Sequence, residues 1–125
     1  VTRMTRKNIT SGNPFEAIFG YSRAVRIGNT IHVAGTTAVG ADAYEQARAA
    51  LKTIAEALAQ AGATLGDVVR TVVYITDMAH ADAVTRAHGE VFTKIRPAST
   101  LVAVSALVKP EMVVEIEAYA IVHED

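Results

Sequence analysis

Glu115, Glu117 and Tyr119 are the residues of this chain best placed to do chemistry together. They alternate with Val114, Ile116, Ala118 and Ala120 in the segment VVEIEAYAIV, and strand side chains repeat with a period of two. Two carboxylates and a phenol therefore share a face that is not a plain apolar core. A carboxylate partly withdrawn from water has a raised pKa and can give or take a proton near neutral pH. Glu115 is the candidate for that role, and Glu117 reads as a structural partner on the same face. An oligomer could close such a face into a cleft.

Other polar residues mark the surroundings. Ser99 and Thr100 open the strand before it. Arg96 precedes Pro97 and reads either as a helix-end cation favoured by the dipole or as a group reaching the cleft rim. Tyr21 can stack on a planar ligand or pack in the core with its hydroxyl satisfied. Ala34 ends a strand and Gly35 follows it, where a glycine lets another group approach its backbone closely. His88 lies within the apolar stripe of a helix. A hydrogen-bonded core histidine is the plainer reading, and a general base paired with a cleft carboxylate is the sharper one. His32 faces opposite Ile31 and Val33, at a prospective subunit boundary.

Several classes of chemistry find no support. The 125 residues include no cysteine, so thiolate and disulfide chemistry are excluded. His80 and His88 are not spaced as a helical metal pair, and no HExxH, GxGxxG, P-loop or GxSxG motif occurs. We therefore expect neither metal nor cofactor. The formal net charge is −1 and no basic block exists, which argues against nucleic acid as a partner. There is no apolar run near membrane-spanning length and no signal-like start. The expectation is a cytoplasmic protein without membrane contact.

The elements that must position these residues follow from local patterns. Residues 1–14 read as a loosely held arm with a short edge strand. Ser22–Ile27 and Thr30–Ala34 form a hairpin about Gly28-Asn29. Asp42 caps a helix whose apolar residues recur from Ala47 to Ala61, with Gly62 at its left-handed end. Val68–Thr76 is a β-branched strand. Asp77 caps a second helix over roughly Ala79–Thr93, which Arg96-Pro97 ends. Two strands follow. The order ββαβαββ predicts an α+β domain spanning residues 1–125, one mixed sheet with both helices on one face.

In order and spacing these segments resemble the Rid family (reactive intermediate deaminase, YjgF-like). The resemblance rests on Phe19-Gly20-Tyr21-Ser22, on VRIGNTIHVAG from Val25 to Gly35, and on Gln46-Ala47 through Gly66-Asp67-Val68-Val69. It continues through Val72–Asp77, Pro97-Ala98, Lys109-Pro110 and Val114-Glu115-Ile116-Glu117-Ala118. It implies a chorismate-mutase-like fold, a homotrimer with ligand clefts between subunits, and imine or enamine substrates. It also implies that Glu115 orients water or shuttles a proton, with Tyr21 and Gly35 beside it.

Three departures qualify the resemblance. Deaminating members carry an arginine after Pro-Ala, and here Ser99 stands there. Losing a bidentate carboxylate contact costs about 2–4 kcal/mol, roughly 10²-fold or more in affinity. Ala34 replaces a frequent serine, and His88 stands where a tyrosine is usual. The expected function is processing of a small reactive imine, enamine or related metabolite, not standard 2-aminoacrylate deamination. The alternative is a non-catalytic small-molecule-binding trimer that senses or buffers a metabolite. Ribonuclease activity, ascribed to some relatives, ranks below both.

Overall fold

The structure is a computed structural model and describes residues 3–124. Six strands form one sheet: β1 (Arg6–Ile9), β2 (Ala24–Ile27), β3 (Thr30–Thr36), β4 (Val68–Ile75), β5 (Ala98–Ala103) and β6 (Val114–Ile121). Their order across the sheet is β1-β2-β3-β6-β4-β5. The helices are α1 (Pro14–Phe19), α2 (Ala43–Gln60) and α3 (Ala81–Phe92). The α+β class and the mixed sheet agree with the sequence reading. Two elements, β1 and α1, precede the expected ββαβαββ series.

Chain chemistry explains the element ends. The Asp42 carboxylate accepts from the Glu45 backbone N–H at 2.9 Å, capping α2. Gly62 follows the helix at φ +84°, the conformation a residue with a Cβ resists. Asp77 accepts from the Ala79 N–H at 2.8 Å and starts a single 3₁₀ turn, Met78–His80, so α3 begins later than its cap suggested. The α1 segment replaces part of the expected arm, with Asn13 as N-cap and Pro14 at the first position.

The last two strands do not pair with each other. β6 lies between β3 and β4, antiparallel to both, whereas β5 runs parallel to β4 at the sheet edge. Val114, Ile116, Ala118 and Ala120 of β6 are completely buried, beneath the apolar stripe of α2 that includes Ala47, Leu51, Ile54 and Leu58. The alternating residues Glu115, Glu117 and Tyr119 lie on the opposite, half-exposed face. Gln46 ties the segment between β5 and β6 to α2. Its amide donates to the Glu111 carbonyl at 3.1 Å and accepts from the Val113 N–H at 3.0 Å. Among the described residues no helix is long and apolar enough to cross a membrane.

Candidate functional site

The site is built on an irregularity in β3. Pairing with β6 shifts register between Val33 and Thr36, so Ala34 and Gly35 form a bulge. The buried Thr36 hydroxyl donates to the Ala34 carbonyl at 2.8 Å and holds that bulge. The Glu115 carboxyl lies directly over Gly35. A Cβ placed on Gly35 would stand 3.0 Å from the Glu115 Cδ and closer still to Oε2. Gly35 thus permits close approach, and the approaching group is the protein's own carboxylate.

Glu115 opens into a cavity of about 650 Å³ that Tyr21, Ala34, Gly35 and Arg23 also line. Phe15 and Phe19 supply its apolar wall, stacked at 5.7 Å between ring centres, and Phe19 meets the Tyr21 ring edge-on at 5.9 Å. Among the described residues no hydrogen bond or ion pair reaches the Glu115 carboxylate. Burial raises its pKa, the nearby Glu117 charge raises it further, and Arg23 partly opposes both. A carboxyl so placed exchanges protons closer to neutrality than a solvated one.

Glu117 has a different environment. The hydroxyls of Tyr74 and Tyr119 donate to its two carboxylate oxygens. Those hydrogen bonds are the main reason both phenols resist ionisation, with Tyr74 pushed up to about 12. The structural reading of Glu117 agrees with this geometry. His32 lies on the same face, edge-on to Tyr119 at 5.3 Å.

The remaining candidates gather elsewhere. Ser99 pairs in register with Thr71, and their hydroxyls are 2.7 Å apart. Thr71 is completely buried and lies 2.9 Å from His88 Nε2. This His88–Thr71–Ser99 chain is on the helix-covered face, opposite Glu115. His88 Nε2 is therefore hydrogen-bonded at the helix–sheet boundary, and burial lowers its pKa. Thr100 is on the other face, where its hydroxyl accepts from Arg70 at 3.1 Å. Arg96 is exposed at φ +55° after α3, and its N–H donates to the Phe92 carbonyl at 2.8 Å. Neither Arg96, Ser99, Thr100 nor His88 lines the Glu115 cavity of the same protomer.

Sequence reasoning gave no site role to seven cavity residues: Asn13, Phe15, Phe19, Arg23, Thr37, Val108 and Lys109. Arg23 adjoins Tyr21-Ser22, and that adjacency was the available signal. Phe15 and Phe19 are four residues apart, but six-residue α1 is too short to reveal a periodic face.

With this geometry in view, comparison with known proteins is decisive. The family model Endoribonuclease L-PSP matches residues 11–122. The chain belongs to this family, the YjgF/Rid family. A crystal structure of Rv2704, from the YjgF/YER057c/UK114 family of Mycobacterium tuberculosis, superposes with TM-score 0.93 at 52% identity. It covers 94% of this chain and 100% of that one. The uncharacterized protein SCO2049 of Streptomyces coelicolor is 39% identical over 122 residues, covering 90% of this chain and 91% of that protein. The 2-iminobutanoate/2-iminopropanoate deaminase of Escherichia coli K12 is 33% identical over 125 residues, covering 92% and 97%. The chorismate-mutase-like fold expected of this Rid chain agrees with these neighbours.

Proposed function

We propose that this Rid protein hydrolyses a reactive imine, or the imine tautomer of an enamine, in clefts between subunits of a homotrimer. The observation that carries the reading is the Glu115 carboxyl, held over bulged Gly35 in an open cavity with no competing hydrogen bond. Its raised pKa suits proton exchange near neutrality. Water adds to the C=N carbon while Glu115 takes a proton from it. That proton passes to nitrogen, and the carbinolamine hydroxyl then gives its own proton to nitrogen, again through Glu115, as the C–N bond breaks and carbonyl product and ammonia leave. The deaminase names of several relatives support this class of chemistry.

Association is supported by the edges of the protomer. β5 is an edge strand, Ala98–Ala103, with no charge or proline along its length, and such edges pair with other chains unless covered. The adjacent protomer's β5 edge brings Ser99 and Thr100 to the cleft in this reading. Ser99 has no charge with which to grip a small carboxylate, so larger substrates are preferred to 2-aminoacrylate-derived imines.

The test is ammonia release from imines generated in situ by an amino-acid oxidase. Turnover by the wild type, lost about 10²-fold or more in Glu115→Gln, is expected. Efficient turnover of 2-iminopropanoate would contradict the substrate preference, and undiminished activity in Glu115→Gln would remove Glu115 from the chemistry. The weakly polar wall of Phe15, Phe19 and Val108 favours a second reading, a metabolite-binding trimer without turnover. Ligand-induced thermal stabilisation without product formation would identify it.

A further inference from the structure

Among the described residues, Arg23 Nε is the buried side-chain polar atom without a hydrogen-bond partner. Its guanidinium stands at the wall of the Glu115 cavity. Two contacts fix that group: Nη2 donates to the Gly35 carbonyl at 2.7 Å, and Cζ lies 5.5 Å from the centre of the Tyr21 ring. Arg23 and Glu115 share the cavity, but no ion pair within 4 Å joins them. The ion pairs of the described chain are Arg48–Glu45 and His123–Asp67. A guanidinium has five N–H donors and no acceptor. Arg23 is thus positioned by a carbonyl and a ring, and its charge is not cancelled by a paired carboxylate.

The other walls define what such a cation would hold. Phe15 and Phe19 present ring surface, and Val108, 78% exposed, adds to it from the connection before β6. Lys109 brings a second cation. Glu115 across the cavity and the buried Glu16, whose charge also acts on Arg23, oppose a phosphate dianion more than a monoanion. A planar carboxylate also matches the guanidinium fork.

We infer that Arg23 is the anion receptor of this cavity and that its ligand is a monocarboxylate with an aromatic or branched apolar body lying on Phe15 and Phe19. The inference rests on the reading of the Glu115 cavity as the ligand site. It places the carboxylate anchor at the residue preceding β2, away from position 99.

The test is equilibrium binding, by NMR titration or calorimetry, of four probes: phenylacetate, phenylacetamide, phenyl phosphate and acetate. The wild type should bind phenylacetate at least tenfold tighter than each of the others. Arg23→Gln should weaken phenylacetate tenfold or more and leave phenylacetamide within twofold, while Phe19→Ala should weaken both. Arg23→Lys, which keeps the charge and loses the fork, should fall between. Circular dichroism and thermal melting confirm that each variant is folded. Binding of phenylacetate unchanged within twofold in Arg23→Gln, tighter binding of phenyl phosphate or acetate, or no binding of any probe overturns the inference. No turnover is needed, so absent imine hydrolysis with intact, Arg23-dependent binding refutes the catalytic reading alone.

Discussion

Replacing Gly35 by alanine separates the position of Glu115 from its presence. The added Cβ would lie 3.0 Å from Glu115 Cδ and closer to Oε2. Ordinary carbon contacts need about 3.5–4.0 Å, so the carboxylate must withdraw by roughly 1 Å. The side-chain end can do this without moving backbone, and Gly35 lies outside the left-handed φ region. Alanine also reduces unfolded-chain entropy, worth about 0.4–1 kcal/mol. Stability should therefore change by no more than about 1 kcal/mol in either direction. A 1 Å misplacement of a reacting group costs up to about 10²-fold in rate, near 2.7 kcal/mol of barrier. The expected variant melts with the wild type and loses kcat. Its Glu115 carboxyl, followed by carbon NMR, titrates closer to the ordinary 4.5 because displacement hydrates it. The linkage has a definite sign. A raised folded pKa means the native state binds the Glu115 proton more tightly, so that group's contribution to stability declines as pH rises from 4.5 through the folded pKa. The decline should be shallower in the variant. Wild-type kinetics in Gly35→Ala would refute the link between the bulge and the chemistry, and a large loss of stability would refute the assumed freedom of Glu115.

Two further outcomes test the surrounding framework. Glu117→Gln should lower the highest tyrosine titration, followed by tyrosinate absorbance, from about 12 toward 10. In the wild type the Tyr74 contribution to stability is complete below pH 10 and lost as pH rises toward 12; solvent screening reduces it from a ceiling near 2.7 kcal/mol to about 1. A wild-type Tyr74 titrating near 10 would contradict the hydrogen bond to Glu117. Gln46→Ala should destabilise by about 2–4 kcal/mol in chemical denaturation, because it strands the Val113 N–H and the Glu111 carbonyl. A loss below about 0.5 kcal/mol would mean that other groups satisfy them.

Local chemistry made much of the fold legible. The two-residue alternation in β6 separated buried Ile116 and Ala118 from Glu115 and Glu117, and Asp42 and Gly62 marked the ends of α2. What remained hidden was non-local. Nothing within Val114–Ile121 says that this strand inserts between β3 and β4, because that choice is made by packing among distant segments. The face of Ser99 depends on the parallel register of β5 on β4, set jointly by both strands and α3. Arg23 escaped notice for a related reason. A lone arginine before a strand reads as a solvated charge, until Gly35 and Tyr21 are brought around it.

The opposite placement of Ser99 and Glu115 constrains any account of the site. Ser99 shares the helix-covered face with Thr71, whereas Glu115 shares the open face with Tyr74, its partner in the β4–β6 register. Side chains on opposite faces of one sheet cannot meet around one small ligand. Either Ser99 takes no part in ligand binding, or it acts on a ligand held by Glu115 of another copy. The uncharged β5 edge and the exposed apolar residues beside the cavity favour the second alternative. In that arrangement a carboxylate has one available arginine among the cavity residues, Arg23, on the same protomer as Glu115. Both groups meet at Gly35, whose carbonyl accepts from Arg23 and whose missing Cβ admits the Glu115 carboxyl, so in this reading the neighbouring edge is left to set the size of what enters.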